Sequence, residues 1–215
     1  MAGLGRSATI GWVAIFLAVL VWSAIDPHDR VTWWLEVLPA LVAFAVLAGL
    51  PDRFPLTALA CWLILAHAVV LMIGGHYTYA RVPPFDWLRD ALDLSRNHYD
   101  RVGHFFQGFT PAIVAREVLA RTSPVARSRW LAPLVVCFCL AVSAFYELIE
   151  WWVALVSEQG AEAFLGTQGD VWDTQTDMFL CLIGALTALV LLPRLHDRQL
   201  DALAAPGAGQ DDDES

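Results

Sequence analysis

Six long stretches of apolar residues, separated by shorter polar segments, form the main pattern along this chain. Each contains nearly the number of residues, about 20, that an α-helix needs to cross the hydrocarbon core of a bilayer. We therefore predict six membrane-spanning helices, over residues 8–25, 33–50, 56–74, 99–118, 130–156 and 171–192. The first begins near the N-terminus, but it is long for a signal peptide and Trp22 stands where a cleavage site needs small residues, so we expect it to stay uncleaved.

The connections between these segments predict little structure outside the membrane. Residues 51–55 contain two prolines and predict a tight turn between the second and third helices. Residues 75–97 are polar and are interrupted by two prolines, which predicts a loop with a short interfacial helix near Trp87. The chain ends in an acidic run over 211–214. We therefore expect one transmembrane domain over 1–195, followed by an acidic, disordered cytoplasmic tail over 196–215.

Composition supports an all-α, polytopic membrane bundle without a soluble catalytic domain. Hydrophobic residues make up 58% of the chain and charged residues 16%, whereas soluble domains carry about 25% charged residues. No patch combines basic and aromatic residues, so nucleic acid is not an expected partner, and membrane lipid is. The phosphate-binding glycine loop, the zinc-protease helix motif and the serine-hydrolase elbow are all missing from the sequence, which disfavours those enzyme classes.

The arginines predict the orientation of the bundle. Four of them, Arg116, Arg121, Arg127 and Arg129, fall around the connection between the fourth and fifth helices, where Glu117 is the only acid. The positive-inside rule places this connection in the cytoplasm, and with it both termini. We therefore predict a multi-pass membrane protein with both termini in the cytoplasm.

The candidate chemistry lies in ionisable residues that the fourth, fifth and sixth helices carry at a similar depth, near their predicted outer ends. Such residues are costly inside a membrane and usually functional. Within each helix they are three or four residues apart, so they share a helix face. The candidate site consists of Asp100, His104, Glu147, Glu150, Asp173 and Asp177.

Carboxylates together with an imidazole suit a divalent cation such as Mg²⁺, Mn²⁺, Zn²⁺ or iron. We expect all six residues to be available as metal ligands and all except Glu150 to take part in catalysis. Glu36 and His76, at the outer ends of two other helices, are candidates to join them. A metal ion there would activate water, or a carboxylate pair would act as acid and base without it. This predicts an outward-facing site that acts on or binds a lipid or a lipid-linked substrate.

Two other interpretations of the same residues remain open. The acids would form a proton relay in a small proton-coupled transporter. In a non-catalytic scaffold, Arg101 would instead pair with Glu147 or Asp173 and lock the helices together. Single residues also have ordinary explanations: Asp170 suits a helix N-cap, and Glu117 an interface charge.

Three sequence runs, over 96–105, 146–152 and 166–178, resemble the YjdF-like family of bacterial inner-membrane proteins. The likeness extends from the third to the sixth helix. It implies a polytopic topology and the importance of the six candidate residues, without implying a particular reaction. The spacing from Glu147 to Asp177 and then Gly184 is also similar to the VanZ-like membrane family, associated with glycopeptide resistance. That family usually has an Asn shortly after the last acid, where this chain has only Met, Phe, Leu and Cys over 178–181.

Overall fold

The computed structural model of the protein describes residues 3–49, 54–126, 128–156 and 167–204. Within these ranges the chain is helical throughout and contains no strand, which confirms the predicted all-α class. The helices are α1 (Arg6–Ala24), α2 (Arg30–Gly49), α3 (Ala58–Tyr77), α4 (Pro83–Ala91), α5 (Tyr99–Thr122), α6 (Leu131–Val156), α7 (Asp173–Leu191) and α8 (Pro193–Ala204). A single 3₁₀ turn, Tyr79–Arg81, precedes α4.

Five of these helices, α1, α2, α3, α6 and α7, are long and apolar enough to cross a membrane. The sixth long helix, α5, has 24 residues but carries charged side chains at both ends, which lower its hydropathy. It packs against α3, α6 and α7, so its polar face points into protein instead of lipid. The membrane bundle therefore has its most polar long helix in the middle, as the cost of charge in hydrocarbon requires.

Hydrogen bonds between neighbouring helices define the two ends of the bundle. At one end, near α4, the indole of Trp33 on α2 donates to Ser23 Oγ on α1 over 3.1 Å. At the other end, near α8, the backbone N–H of Thr57 before α3 donates to Glu117 Oε1 on α5 over 2.9 Å. These are called the α4 end and the α8 end below.

Helices α5 and α7 cross in backbone contact at two glycines. A Cβ added to Gly108 would lie 1.8 Å from the carbonyl oxygen of Cys181, and one added to Gly184 would lie 2.0 Å from that of Phe105. Small residues allow such close approach of helices in membranes. His104 is one turn before Gly108 and Asp177 is one turn before Cys181, so the crossing brings these two side chains together.

The chain continues as a further helix after the last membrane helix. Helix α8 extends to Ala204, although a tail without structure was expected from residue 196. The helix is held to the bundle because His196 is fully buried and Gln199 Oε1 accepts the backbone N–H of Leu59 over 2.8 Å. Residues 205–215, which include the acidic run, lie outside the described residues, as does most of the predicted turn at 51–55. The predicted interfacial helix near Trp87 is α4, and that side chain is 72% exposed.

Candidate functional site

A cavity of about 130 Å³ lies between α2, α3, α5 and α6 towards the α4 end. We call it the acidic cavity. Among the described residues, its lining includes three carboxylates but no arginine. Its polar lining consists of Glu36, His67, Tyr79, Asp100, His104, Gln107, Tyr146 and Glu150. A cation in this cavity would be favoured, because a positive charge nearby stabilises the ionised form of carboxyl groups.

Three of the predicted site residues converge beside this cavity, and two of them, Asp100 and His104, belong to its lining. The distance from His104 Nε2 to Asp100 Oδ1 is 3.4 Å, and from the same nitrogen to Asp177 Oδ2 it is 3.8 Å. One ligand atom from each residue can be chosen so that all three lie within 4.8 Å of one another. All three side chains are buried. We call this group the Asp–His–Asp cluster, and its atoms are those that commonly bind divalent metals.

The second ring nitrogen of His104 contacts the side-chain amide of Gln107. His104 Nδ1 lies 3.1 Å from Gln107 Oε1, and an amide oxygen can only accept a hydrogen bond. With the proton on Nδ1, the lone pair on Nε2 points towards two carboxylates. That arrangement is unfavourable unless a proton or a metal cation lies between them, and metal-binding histidines are usually oriented by such a second hydrogen bond.

Two carboxylate oxygens in this region are buried without a hydrogen-bond partner among the described residues, Asp177 Oδ1 and Glu147 Oε1. Glu147 Oε1 is 3.9 Å from His104 Nδ1, which is too far for a hydrogen bond. Most buried polar groups have a partner, and leaving one without a partner is costly. The cluster therefore has more acceptors than the surrounding protein satisfies.

Arg96 neutralises one side of the site, and this role was not recognised from the sequence. Its guanidinium contacts the carboxylate of Asp173 and donates from Nη2 to Asp100 Oδ2 over 3.2 Å. Arg101, which was expected to pair with Glu147 or Asp173, instead bonds Asp170 over 2.7 Å. Asp173 is thus held by Arg96, and it is not part of the Asp–His–Asp cluster. Arg96 begins the run 96–105 that resembles the YjdF-like family, and this was the signal that could have identified it.

Asp170 and His98 lie outside the membrane-spanning helices, next to Arg101. The backbone N–H of Trp172 donates to Asp170 Oδ1 over 2.9 Å just before α7. This hydrogen bond, aided by Arg101, lowers the pKa of Asp170. Partial burial lowers the pKa of His98, and the positive charge of Arg101 acts in the same direction. A charged Asp170 and a neutral His98 are therefore expected near pH 7.

Of the two residues that were candidates to join the site, one does. Glu36 is buried and lines the acidic cavity, and Tyr146 Oη donates to its Oε2 over 3.1 Å, linking α6 to α2. His76 lies outside this lining and its Nδ1 contacts the backbone oxygen of Ser23 at 3.1 Å. Glu150 is buried and lines the cavity on the side of α6.

A second buried polar group lies at the α8 end, around Glu117. Its carboxylate accepts from the backbone N–H and hydroxyl of Thr57, from Arg121 Nη1 over 3.0 Å and from His196 Nε2 over 3.1 Å. Arg116 in turn donates to His196 Nδ1 over 2.9 Å. We call these residues the Glu117 network. Glu117 is fully buried, so the expectation that it is an ordinary interface charge is wrong.

Comparison with known proteins identifies the family. A family profile described as "Predicted membrane protein (DUF2238)" matches residues 8–198, which is most of the chain. This protein belongs to that family. It is also 53% identical over 182 residues to the inner membrane protein YjdF of Escherichia coli (strain K12), a match that covers 85% of this chain and 87% of that protein. No solved structure matches.

These matches confirm the resemblance to YjdF-like proteins found in the sequence. Together with the apolar helices, they establish a multi-pass protein of the inner membrane. Neither description names a reaction, so the function has to be argued from the side chains of the cavity.

Proposed function

We propose that this inner-membrane protein binds a divalent metal ion between Asp100, His104 and Asp177 and uses it to bind or act on the polar end of a membrane lipid. The observation that carries this proposal is the convergence of three ligand atoms within 4.8 Å, next to a buried Asp177 oxygen without a hydrogen-bond partner. A cation would satisfy that oxygen and the lone pair of His104 Nε2 together.

The donor set supports a transition metal of intermediate hardness. Two carboxylates and one imidazole suit Mn²⁺, Zn²⁺ or Fe²⁺, and Gln107 would orient the imidazole from behind. Glu147 lies on the other side of the ring, with Oε1 3.9 Å from His104 Nδ1, where it would act on a water molecule or on the substrate. A bound metal would supply Lewis-acid chemistry at a phosphoryl or carbonyl oxygen and generate a nucleophilic water.

The surroundings of the cavity favour this proposal over a proton relay and over a purely structural network. Towards the α8 end the space between the helices has a largely apolar lining, with Thr110 as its polar member beyond His67, so a chain of proton acceptors does not continue in that direction. A structural network is expected to satisfy its buried groups, whereas Asp177 and Glu147 each retain an oxygen without a partner.

Metal binding to the purified protein in mild detergent tests the proposal. After treatment with EDTA and its removal, calorimetric titration with Mn²⁺ and with Zn²⁺ should show one site per chain. Asp177→Asn should weaken binding by about 100-fold or more, because it changes a direct ligand and even indirect supports cost 10–100-fold. Asp90→Asn is the matched control, since Asp90 makes an exposed ion pair with Arg89 on α4 and should bind metal like the native protein.

The absence of a stoichiometric site for either ion in the native protein would refute the metal proposal. Equal weakening in Asp177→Asn and Asp90→Asn would refute the assignment of the ligands. Thermal unfolding of both variants must be measured alongside, so that loss of metal is not confused with loss of fold.

A further inference from the structure

A large apolar groove continues from the acidic cavity towards the α8 end. Its volume is about 780 Å³, and it runs between α2, α3, α5 and α6. Five residues line both the cavity and the groove, namely Pro39, His67, Leu71, Pro111 and Val142. The two spaces therefore adjoin each other, with a polar end and an apolar end. We call the apolar part the lateral groove.

The lateral groove is exposed towards the bilayer because its two flanking helices have other packing partners. Helix α2 packs chiefly on α3, and α6 packs on α5 and α7. Groove residues on both flanking helices are exposed, with Val42 at 53%, Val46 at 57% and Phe138 at 49%. In a membrane this opening faces hydrocarbon, so its natural occupant is the chain of a lipid.

The length of the combined space suits a long hydrocarbon chain. From His104 in the cavity to Leu119 at the far end of the groove there are 15 residues of α5. At 1.5 Å per residue this corresponds to roughly 22 Å, compared with about 30 Å for the hydrocarbon core of a bilayer. A chain that starts at the cavity therefore extends through most of the membrane interior.

Charge indicates what lies at the polar end of that chain. The cavity presents Glu36, Asp100 and Glu150, and its described lining contains no arginine. An ammonium group can donate hydrogen bonds to these carboxyl groups and favours their ionised form, whereas a phosphate alone disfavours it. Glu36 and Glu150 lie outside the Asp–His–Asp cluster, so they remain available to an amine while the metal ion is held by other residues.

We infer that the groove and cavity bind an aminophospholipid of the phosphatidylethanolamine type, which enters sideways between α2 and α6. Its hydrocarbon chain fills the lateral groove and its ammonium contacts Glu36 and Glu150. Its phosphate reaches the metal ion, and this last contact alone rests on the function proposed above. The chain and ammonium contacts do not require the metal and can be measured without it.

Native mass spectrometry of the full protein, in mild detergent containing EDTA, tests this inference. Phosphatidylethanolamine and phosphatidylglycerol with the same acyl chains are titrated separately. We expect one retained phosphatidylethanolamine per chain, with an affinity about tenfold higher than that for phosphatidylglycerol, which corresponds to about 1.4 kcal/mol. Glu150→Gln should reduce this preference, because it removes one of the acids that face the amine.

Two substitutions that fill the groove test the position of the chain. Ala43→Phe and Val114→Phe each place a ring in the groove lining, and each should weaken retention of phosphatidylethanolamine about tenfold, since overfilling a packed space typically costs 1–3 kcal/mol. Using both keeps the test valid if one variant fails to fold. Ala141→Phe is the matched control, because Ala141 is exposed on α6 and is not part of the groove lining.

The outcomes separate this inference from the proposed metal site. Equal retention in the groove variants and in Ala141→Phe would overturn the position of the chain, and equal or tighter binding of phosphatidylglycerol would overturn the ammonium contact. If the protein binds Mn²⁺ in lipid-free detergent but fails these lipid tests, the lipid inference is refuted and the metal site is not. If the protein passes the lipid tests in EDTA but binds no metal, the lipid inference is supported and the metal site is refuted.

Discussion

Helix α5 carries a buried polar cluster at each end, and the two differ in how completely their hydrogen bonds are made. At the α8 end, Glu117 accepts hydrogen bonds from Thr57, Arg121 and His196. At the α4 end, Asp177 keeps a buried oxygen without a hydrogen-bond partner among the described residues, and His104 Nε2 lies 3.4 Å from Asp100 Oδ1. A satisfied cluster holds helices together, whereas one with unmet acceptors is suited to binding a cation from outside.

The distribution of arginine explains much of this difference. Arg116 and Arg121 both belong to the Glu117 network, where they surround a single buried carboxylate. In the other cluster Arg96 bonds Asp173 and one oxygen of Asp100, so Asp177 and the second oxygen of Asp100 are left to His104. The comparison leads to four predictions about stability.

The largest change in stability is expected from substitutions in the Glu117 network. Glu117→Ala leaves Thr57, Arg121 and His196 without their shared acceptor, and breaking such a buried pair costs about 3–5 kcal/mol. The free energy of unfolding, measured by denaturant titration in mixed micelles, should fall by that amount. Glu117→Gln keeps an acceptor and should lose less. A loss below about 1 kcal/mol for Glu117→Ala would contradict the structural role of this network.

A bound metal ion should stabilise the folded protein through the Asp–His–Asp cluster and not through the Glu117 network. At a Mn²⁺ concentration 100 times its dissociation constant, binding to the folded state adds about 2.7 kcal/mol. We expect this increase in the native protein and in Glu117→Gln, and its absence in Asp177→Asn. Thermal unfolding with and without Mn²⁺ measures it. An equal increase in Asp177→Asn would show that the ion binds elsewhere.

Without metal, Asp177→Asn should not lower the free energy of unfolding, in contrast to Glu117→Ala. The substitution replaces a buried carboxyl group of which one oxygen lacks a hydrogen-bond partner among the described residues, so the metal-free protein should keep its stability or gain about 1 kcal/mol. Asp100→Asn provides the contrast, because Asp100 pairs with Arg96 and its loss should destabilise. If Asp177→Asn destabilised as strongly as Glu117→Ala, the distinction between the two clusters would be wrong.

The smallest effect concerns the pH dependence of stability and Asp170, which lies just before α7. Because its hydrogen bonds lower the pKa of this carboxyl in the folded state, its ionised form stabilises the protein above the ordinary aspartate pKa of about 3.9. This stabilisation disappears as the pH falls from about 3.9 through the lowered pKa of Asp170 in the folded state. The difference in melting temperature between the native protein and Asp170→Asn should therefore be small at pH 6 and vanish in this acidic range. A difference that grew on acidification would have the wrong sign.

Much of the fold followed from the sequence because membrane helices leave a strong local signal. Long uncharged stretches predicted five spans that the structure also has, together with α5 and the short helix at Trp87. Helical spacing also put Asp100 and His104 on one face. These features depend on residues close together in the sequence, where periodicity is informative.

What the sequence did not predict depends on contacts between distant residues. Glu117 is buried because Thr57 and His196, 60 and 79 residues away, bond it. For the same reason α8 is ordered where a disordered tail was expected. Arg96 precedes α5 and was assigned to a loop, yet it reaches Asp173 across 77 residues of sequence. Pairings of this kind cannot be derived from spacing along a single helix.

The two glycines at the crossing of α5 and α7 have a consequence for evolution within the family. Main-chain atoms of the two helices are in contact there. The distance between the helices at this point is therefore set by backbone atoms and does not depend on neighbouring side chains. Lipid-facing positions can then drift freely while His104 and Asp177 keep their mutual geometry. Any mutation that gives Gly108 or Gly184 a side chain would alter that geometry at a distance, without touching a single ligand.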